Sequence, residues 1–187
     1  PMNVEVQLIT LSPKPTRAEI ERIENELRSF AQRVNSGESD FGTLAMLYSQ
    51  DASARQGGEL GYKGRGQFVP EFANVAFSLN DPKKVSKIVR TEYGYHIIQL
   101  IDKKGDKVNV RHILLKPEVS SEEVAENLSK LDSIRSSIHD GKMTFEEAVV
   151  KFSDDKDTRS NNGLMVNIDV DQATRTSHFE MKDLPQD

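Results

Sequence analysis

The 187-residue sequence predicts an α+β fold of two tandem domains, 1–104 and 105–187, each a small antiparallel sheet covered by helices, the second incomplete at its C-terminus. Three observations predict it. VEVQLITLSP at 4–13 returns as VNVRHILLKP at 108–117. The same offset of 104 then aligns Leu27/Leu131, Gly37/Gly141, Phe41/Phe145, Ser49/Ser153, Asp51/Asp155 and Leu60/Leu164. Within each copy the apolar spacing changes from every second residue to every third or fourth, so strand gives way to helix. A repeat this long is a duplicated domain, because solenoid units run roughly 20–50 residues.

Each copy opens with a strand, since Val4, Val6 and Leu8, like Val108, Val110 and His112, alternate onto one face. Thr16-x-x-Glu19 and Ser120-x-x-Glu123 have the form of capping boxes and predict helix starts. Ile20, Ile23, Leu27, Phe30 and Val34 then fall on one helical face, as do Val124, Leu128, Leu131, Ile134 and Ile138. Gly37 and Gly141 stand where a left-handed residue ends a helix. A short second helix follows in FGTLAMLYS and FEEAVVKFS. In copy one GGELGYKGRGQF predicts a strand and a tight turn, FVPEFANVAFSL a short helix, and YGYHIIQLI a buried closing strand. Opening and closing strands carry apolar residues on both faces, which places them centrally in the sheet. Copy two stops short of a counterpart to YGYHII; HFEMKDLP is a loose echo of RGQFVPEF, with Met181 near the place of Phe68.

A formal net charge of −5 argues against nucleic acid, whose binding rests on clustered Lys and Arg. With no cysteine there is no thiolate nucleophile or Cys-based zinc site, and His96, His112, His139 and His178 lack metal-ligand spacing. No metal or cofactor is expected. No apolar run approaches the ~20 residues that span a bilayer, so no membrane insertion is expected. GGELGYKGRG lacks the Gly-Lys-Ser/Thr ending of a phosphate loop.

RHILLKP at 111–117, FGTLAMLYSQD at 41–51, GGELGYKGRGQFVPEF at 57–72 and YGYHIIQL at 93–100 together resemble the parvulin family of peptidyl-prolyl cis/trans isomerases, or rotamases. The resemblance implies an FKBP-like superfold. Two such units in tandem further resemble SurA-like chaperone and isomerase proteins of the Gram-negative periplasm, and imply unfolded outer-membrane or secreted clients, containing X-Pro and aromatic residues, as partners. On that reading the chain is a fragment of a longer protein.

The resemblance assigns Asp51 and His96 as catalytic residues and Leu60, Phe68 and Phe72 as the apolar floor under proline, with Tyr93 narrowing the pocket. Read without it, the same Leu and Phe residues are core, Asp51 a loop cap and each histidine a satisfied core residue. In the second copy His112, Asp155 and Leu164 are the corresponding candidates. Parvulins pair two histidines across adjacent strands, yet copy one has Leu8 in its opening strand and copy two has His112 with no closing strand, so neither copy by itself holds both. The expected activity is rotation of X-Pro bonds in an apolar pocket without covalent chemistry; the alternative is a catalytically weak, peptide-binding chaperone module.

Overall fold

A computed structural model of the protein describes residues 3–169, 174–176 and 178–180. In chain order the elements are β1 (Asn3–Glu5), α1 (Arg17–Asn35), α2 (Phe41–Tyr48), β2 (Glu59–Gly64), α3 (Pro70–Ser78), β3 (Val89–Thr91), β4 (Gly94–Lys104), β5 (Lys107–Leu115), α4 (Ser121–His139), α5 (Phe145–Phe152), α6 (Lys156–Arg159), β6 (Asn167–Asp169), β7 (Thr174–Thr176) and β8 (His178–Glu180). The fold is α+β, with helices packed on antiparallel strands.

The expected boundary at 104/105 is corrected by the packing. The chain forms two compact units, one of residues 15–118 and one of residues 1–14 with 119–187. The opening strand of the second copy thus closes the first unit, and the opening strand of the first copy belongs to the second unit.

In the 15–118 unit four antiparallel strands run in the order β2-β5-β4-β3. The closing strand β4 is central, as its apolar run predicts. Its central neighbour is β5 rather than residues 4–11. The reason is local: β4 and β5 form a hairpin around Gly105, whose φ of +57° suits glycine, and pair from Tyr95↔Leu115 to Lys104↔Lys107. Both sheet faces are covered. Ile23, Leu27 and Phe30 of α1 and Phe41, Leu44 and Ala45 of α2 pack on Tyr95, Ile97, Ile113 and Leu115. Phe72 and Ala76 of α3 pack on Ile98, Leu100, Val108 and Val110. The alternation of strand side chains therefore turns His96 and His112 toward α3.

The Thr16 and Ser120 hydroxyls accept the Glu19 and Glu123 amides, at 3.1 and 3.2 Å, so the hydroxyl half of each expected box forms. Glu19 does not return to the cap; its carboxylate binds Arg22 and the Glu118 amide. A full capping box forms instead at Thr144 and Glu147, at the head of α5.

In the other unit, Ile134 alone of the expected α4 face is buried, while Val124 and Leu128 are exposed. Residues 7–10 here repeat the contacts that 111–114 make in the first. The Thr10 amide donates to Ser153 Oγ and its carbonyl accepts from Asp154, just as Leu114 uses Ser49 Oγ and Gln50. Leu8 N–H bonds the Gly163 carbonyl, as His112 N–H bonds that of Gly58. A Cβ on Gly58 would meet His112 O at 2.2 Å, and one on Gly163 would meet Leu8 O at 2.6 Å. These matched pairs shift the offset from 104 to 105 by this point (163 − 58 = 105), because the preceding loop is one residue longer. β1 pairs β8, and β6 pairs β7. Met181 and most of HFEMKDLP lie outside the described residues.

The strand assignment predicts a selective cross-link in a chain that has no native cysteine. Gln99 is the cross-strand partner of Arg111, so Gln99→Cys with Arg111→Cys should close an intrachain disulfide on mild oxidation, read by mass spectrometry after proteolysis. Gln99→Cys with Gln7→Cys should not; a link there would place the first copy's own strand in this sheet.

Candidate functional site

A cleft of about 320 Å³ opens on the α3 face of the 15–118 unit, beside the β5–β4 pair. Its floor follows from sequence. β2 brings Leu60 to the edge of the sheet, and Pro70 at the head of α3 fixes the helix start that sends Phe72 inward. Phe72 is 4% exposed and meets both imidazoles edge-on, with centroids 5.5 Å from each. Phe68 is less buried and stacks on Phe72 at 5.1 Å, nearer the opening. Tyr93 is exposed at the mouth. Asp51, His96 and His112 line the same cleft.

The expectation that no histidine pair forms is therefore overturned. His112 belongs to this unit, because β5 fills the place that Leu8 would have taken. In the strand register Ile98 faces His112 and His96 faces Leu114, which makes the two histidines diagonal neighbours on one face. The rings stack at 5.4 Å, and the two Nδ1 atoms lie 3.2 Å apart.

One proton arrangement satisfies this geometry. Thr91 Oγ accepts the Tyr93 amide at 3.1 Å and lies 2.7 Å from His96 Nε2. The hydroxyl donates to His96 Nε2, His96 Nδ1–H donates to His112 Nδ1, and His112 Nε2–H then points to the carboxylate side. The opposite tautomers would turn a bare His112 nitrogen toward Asp51 Oδ1, 3.1 Å away. The His112–Asp51 contact is within ion-pair distance but not aligned as a hydrogen bond, and leaves Nε2 without a hydrogen-bond partner.

Asp51 caps the 3-10 turn at Ala52–Gln56, accepting the Ser53 amide at 2.9 Å and the Ser53 hydroxyl as well. Partial burial works to raise its pKa, but the Ser53 bonds and then His112 overcome it and hold the carboxyl at about 2. Burial foremost, then His112, pushes His96 down to about 4, with Asp51 opposing. Burial also lowers His112, helped by Lys63 and opposed by Asp51. At neutral pH the cleft holds one carboxylate and two neutral imidazoles.

Six further lining residues escaped sequence reasoning: Lys63, Gln67, Val69, Thr91, Leu114 and Lys116. Thr91 had a readable signal, since it lies across the tight β3–β4 turn from the histidine it binds. Lys63 had none, because a bulge between Glu59 and Tyr62 shifts the facing of β2.

In the other unit Asp155 and Leu164 line a hollow of about 600 Å³ with Leu8. Asp155 accepts the Asp157 and Thr158 amides and the Thr158 hydroxyl, capping α6, and Leu8 stands where His112 stands in the first unit. Leu164 bridges Gln7 as Glu59 pairs Arg111, so the expected match of Leu164 to Leu60 is corrected by one residue to Met165. Among the described residues no three His, Asp or Glu side chains are placed to hold a metal ion.

The neutral pair makes stability sensitive to acid. An unfolded His96, near its ordinary 6.5, takes up a proton before the folded one does. Its contribution is full above about pH 6.5 and lost toward pH 4, amounting to about 2 kcal/mol between pH 6.5 and 5; His112 acts in the same direction. Asp51 works in a lower window, from its ordinary 3.8 toward 2. Hydrogen exchange of the Ile97 and Ile113 amides should therefore report a lower opening free energy at pH 5 than at pH 7. Equal or greater protection at pH 5 contradicts the neutral pair.

Known proteins resemble the chain along most of its length. The family description "Rotamase: PPIC-type PPIASE domain" matches residues 8–102 and 112–183. The chain is similar to Chaperone SurA of Escherichia coli O6:H1 and of Shigella flexneri, 32% identical to each over 170 residues, covering 87% of this chain and 39% of the relative. It is likewise similar to Chaperone SurA of Salmonella choleraesuis, at 31% over 169 residues with the same coverage. The chain thus spans less than half the length of these relatives. Matched along nearly its whole length, it belongs to the PPIC-type peptidyl-prolyl isomerase family, the parvulins.

Proposed function

We propose that the 15–118 unit catalyses cis/trans rotation of X-Pro bonds in unfolded polypeptides. One observation carries the reading: the apolar recess of Leu60, Phe68 and Phe72 lies beside an ionised Asp51 backed by two neutral histidines. The barrier to peptide-bond rotation is ~18–20 kcal/mol because twisting removes amide resonance. That resonance places negative charge on the carbonyl oxygen. A proline ring seated against Phe68 and Phe72 sets the preceding carbonyl beside Asp51, whose charge disfavours the planar, charge-separated form and so favours the twisted state. Uncharged imidazoles leave that charge uncancelled, and Phe72 packed against both rings fixes their orientation. His96 and His112 act as positioning residues, and no covalent bond forms or breaks. Water expelled from the recess no longer stabilises the planar amide.

The resemblance to SurA chaperones supports unfolded secreted or outer-membrane proteins as clients and the Gram-negative periplasm as the compartment. No described helix is long and apolar enough to cross a membrane. For the second unit a holding role fits better than catalysis, because Leu8 rather than histidine faces Asp155 and Leu164 in its hollow.

The test is isomerisation of an X-Pro tetrapeptide by the whole chain. The unaltered chain should accelerate the reaction, and Asp51→Ala and Phe68→Ala should each lower kcat/KM by about tenfold or more. An uncatalysed rate with the unaltered chain would remove the enzymatic reading. Suppressed aggregation of an unfolded outer-membrane protein would then leave the holding role as the function.

A further inference from the structure

Two ammonium groups in the cleft have no part in bond rotation as described. Lys63 sits on β2, three residues after Leu60, and is partly buried. Its Nζ lies 5.8 Å from the centre of the Phe68 ring, over the face. It is also near enough to His112 to disfavour a proton there. Lys116 follows β5 and extends the cleft-facing row of His112 and Leu114. Among the described residues neither lysine has a carboxylate within ion-pair reach, whereas Arg17, Arg22 and Arg28 on α1 are all paired. Asp51 forms no ion pair with either lysine, and its Oδ1 is turned to Ser53 and His112.

A chain of net charge −5 has thus gathered two unpaired cations at one cleft that holds a single carboxylate, bonded to neither. A cation resting on an aromatic face has already lost part of its hydration, and an arriving anion recovers that loss. The distances suit a neighbouring residue. With proline on Phe68 and Phe72, the Lys63 ammonium is about 6 Å from the ring that holds it, and one residue advances an extended chain by about 3.5 Å. An acidic side chain one position from proline spans the remainder.

Resting on the isomerase reading, we infer that the cleft selects proline segments with an Asp or Glu next to the proline, its carboxylate bound by Lys63 with Lys116 as a second cation at the rim. The cleft is then a sequence filter as well as a rotamase pocket.

The experiment compares kcat/KM of the full chain for Ala-Glu-Pro-Phe, Ala-Lys-Pro-Phe and Ala-Ala-Pro-Phe peptides, with Ala-Ala-Pro-Glu to cover the position after proline. At low salt an acidic peptide should exceed its neutral counterpart, and Glu-Pro the Lys-Pro peptide, by about fivefold, the size of a well-placed exposed ion pair. The preference should shrink in 0.5 M salt. Lys63→Glu should reverse the ratio, and Lys116→Met should reduce it. Equal acceleration of all four peptides by the unaltered chain overturns the inference and leaves the isomerase reading standing. No acceleration of any peptide overturns both.

Discussion

The pairing of β4 with β5 is the constraint on which the rest depends. Its hydrogen bonds hold the two most buried strands of the 15–118 unit together, and its register decides what chemistry the α3 face carries. Because strand side chains alternate, a slip of one residue in either strand would turn its histidine into the α1 and α2 core and bring Ile97 or Ile113 into the cleft. Leu27, Phe30 and Phe41 on one face, and Phe72 and Ala76 on the other, exclude that slip by requiring apolar partners. Packing on both faces thereby fixes the site.

The site shows how burial can prepare charge rather than remove it. His96 and His112 are desolvated and stay neutral, and Asp51 is 31% exposed and stays ionised through local hydrogen bonds. A protonated histidine beside Asp51 would offset the negative charge that the cleft presents. The hydroxyl of Thr91 completes the order by bonding the far nitrogen of His96, while Asp51 beside His112 decides which nitrogens carry hydrogen. The second unit has the same backbone contacts at Leu8, Thr10 and Ser153 without this polar run, which separates what the fold requires from what the chemistry requires.

Much of this was legible in the residues. Helical spacing in α1, the caps at Thr16 and Ser120, the left-handed glycines 37 and 141, and the buried closing strand all follow from local physics and appear as expected. The cleft gathers every candidate of the first copy, Asp51, Leu60, Phe68, Phe72, Tyr93 and His96. What sequence could not decide was partnership. VEVQLITLSP and VNVRHILLKP are alike enough that either satisfies the apolar demands of the sheet, and nothing local says which copy each strand completes. A two-residue turn beside β5 decides it by connection length. The one-residue shift at Leu164 was hidden for a similar reason, because a loop insertion changes strand facing without disturbing the helices before it.

The placement of the first strand has a consequence for the order of assembly. Every pairing of the 15–118 sheet joins strands that lie within about half of that unit, and its central hairpin is nearly contiguous. Residues 7–10, by contrast, wait for Ser153, Asp154 and Gly163, well over a hundred positions later. Closing so long a loop carries an entropic charge that short-range partners avoid. On a chain emerging from the ribosome the 15–118 unit can be complete while residues 7–10, made before it, are still unmatched, so a segment synthesised earlier finds its place later.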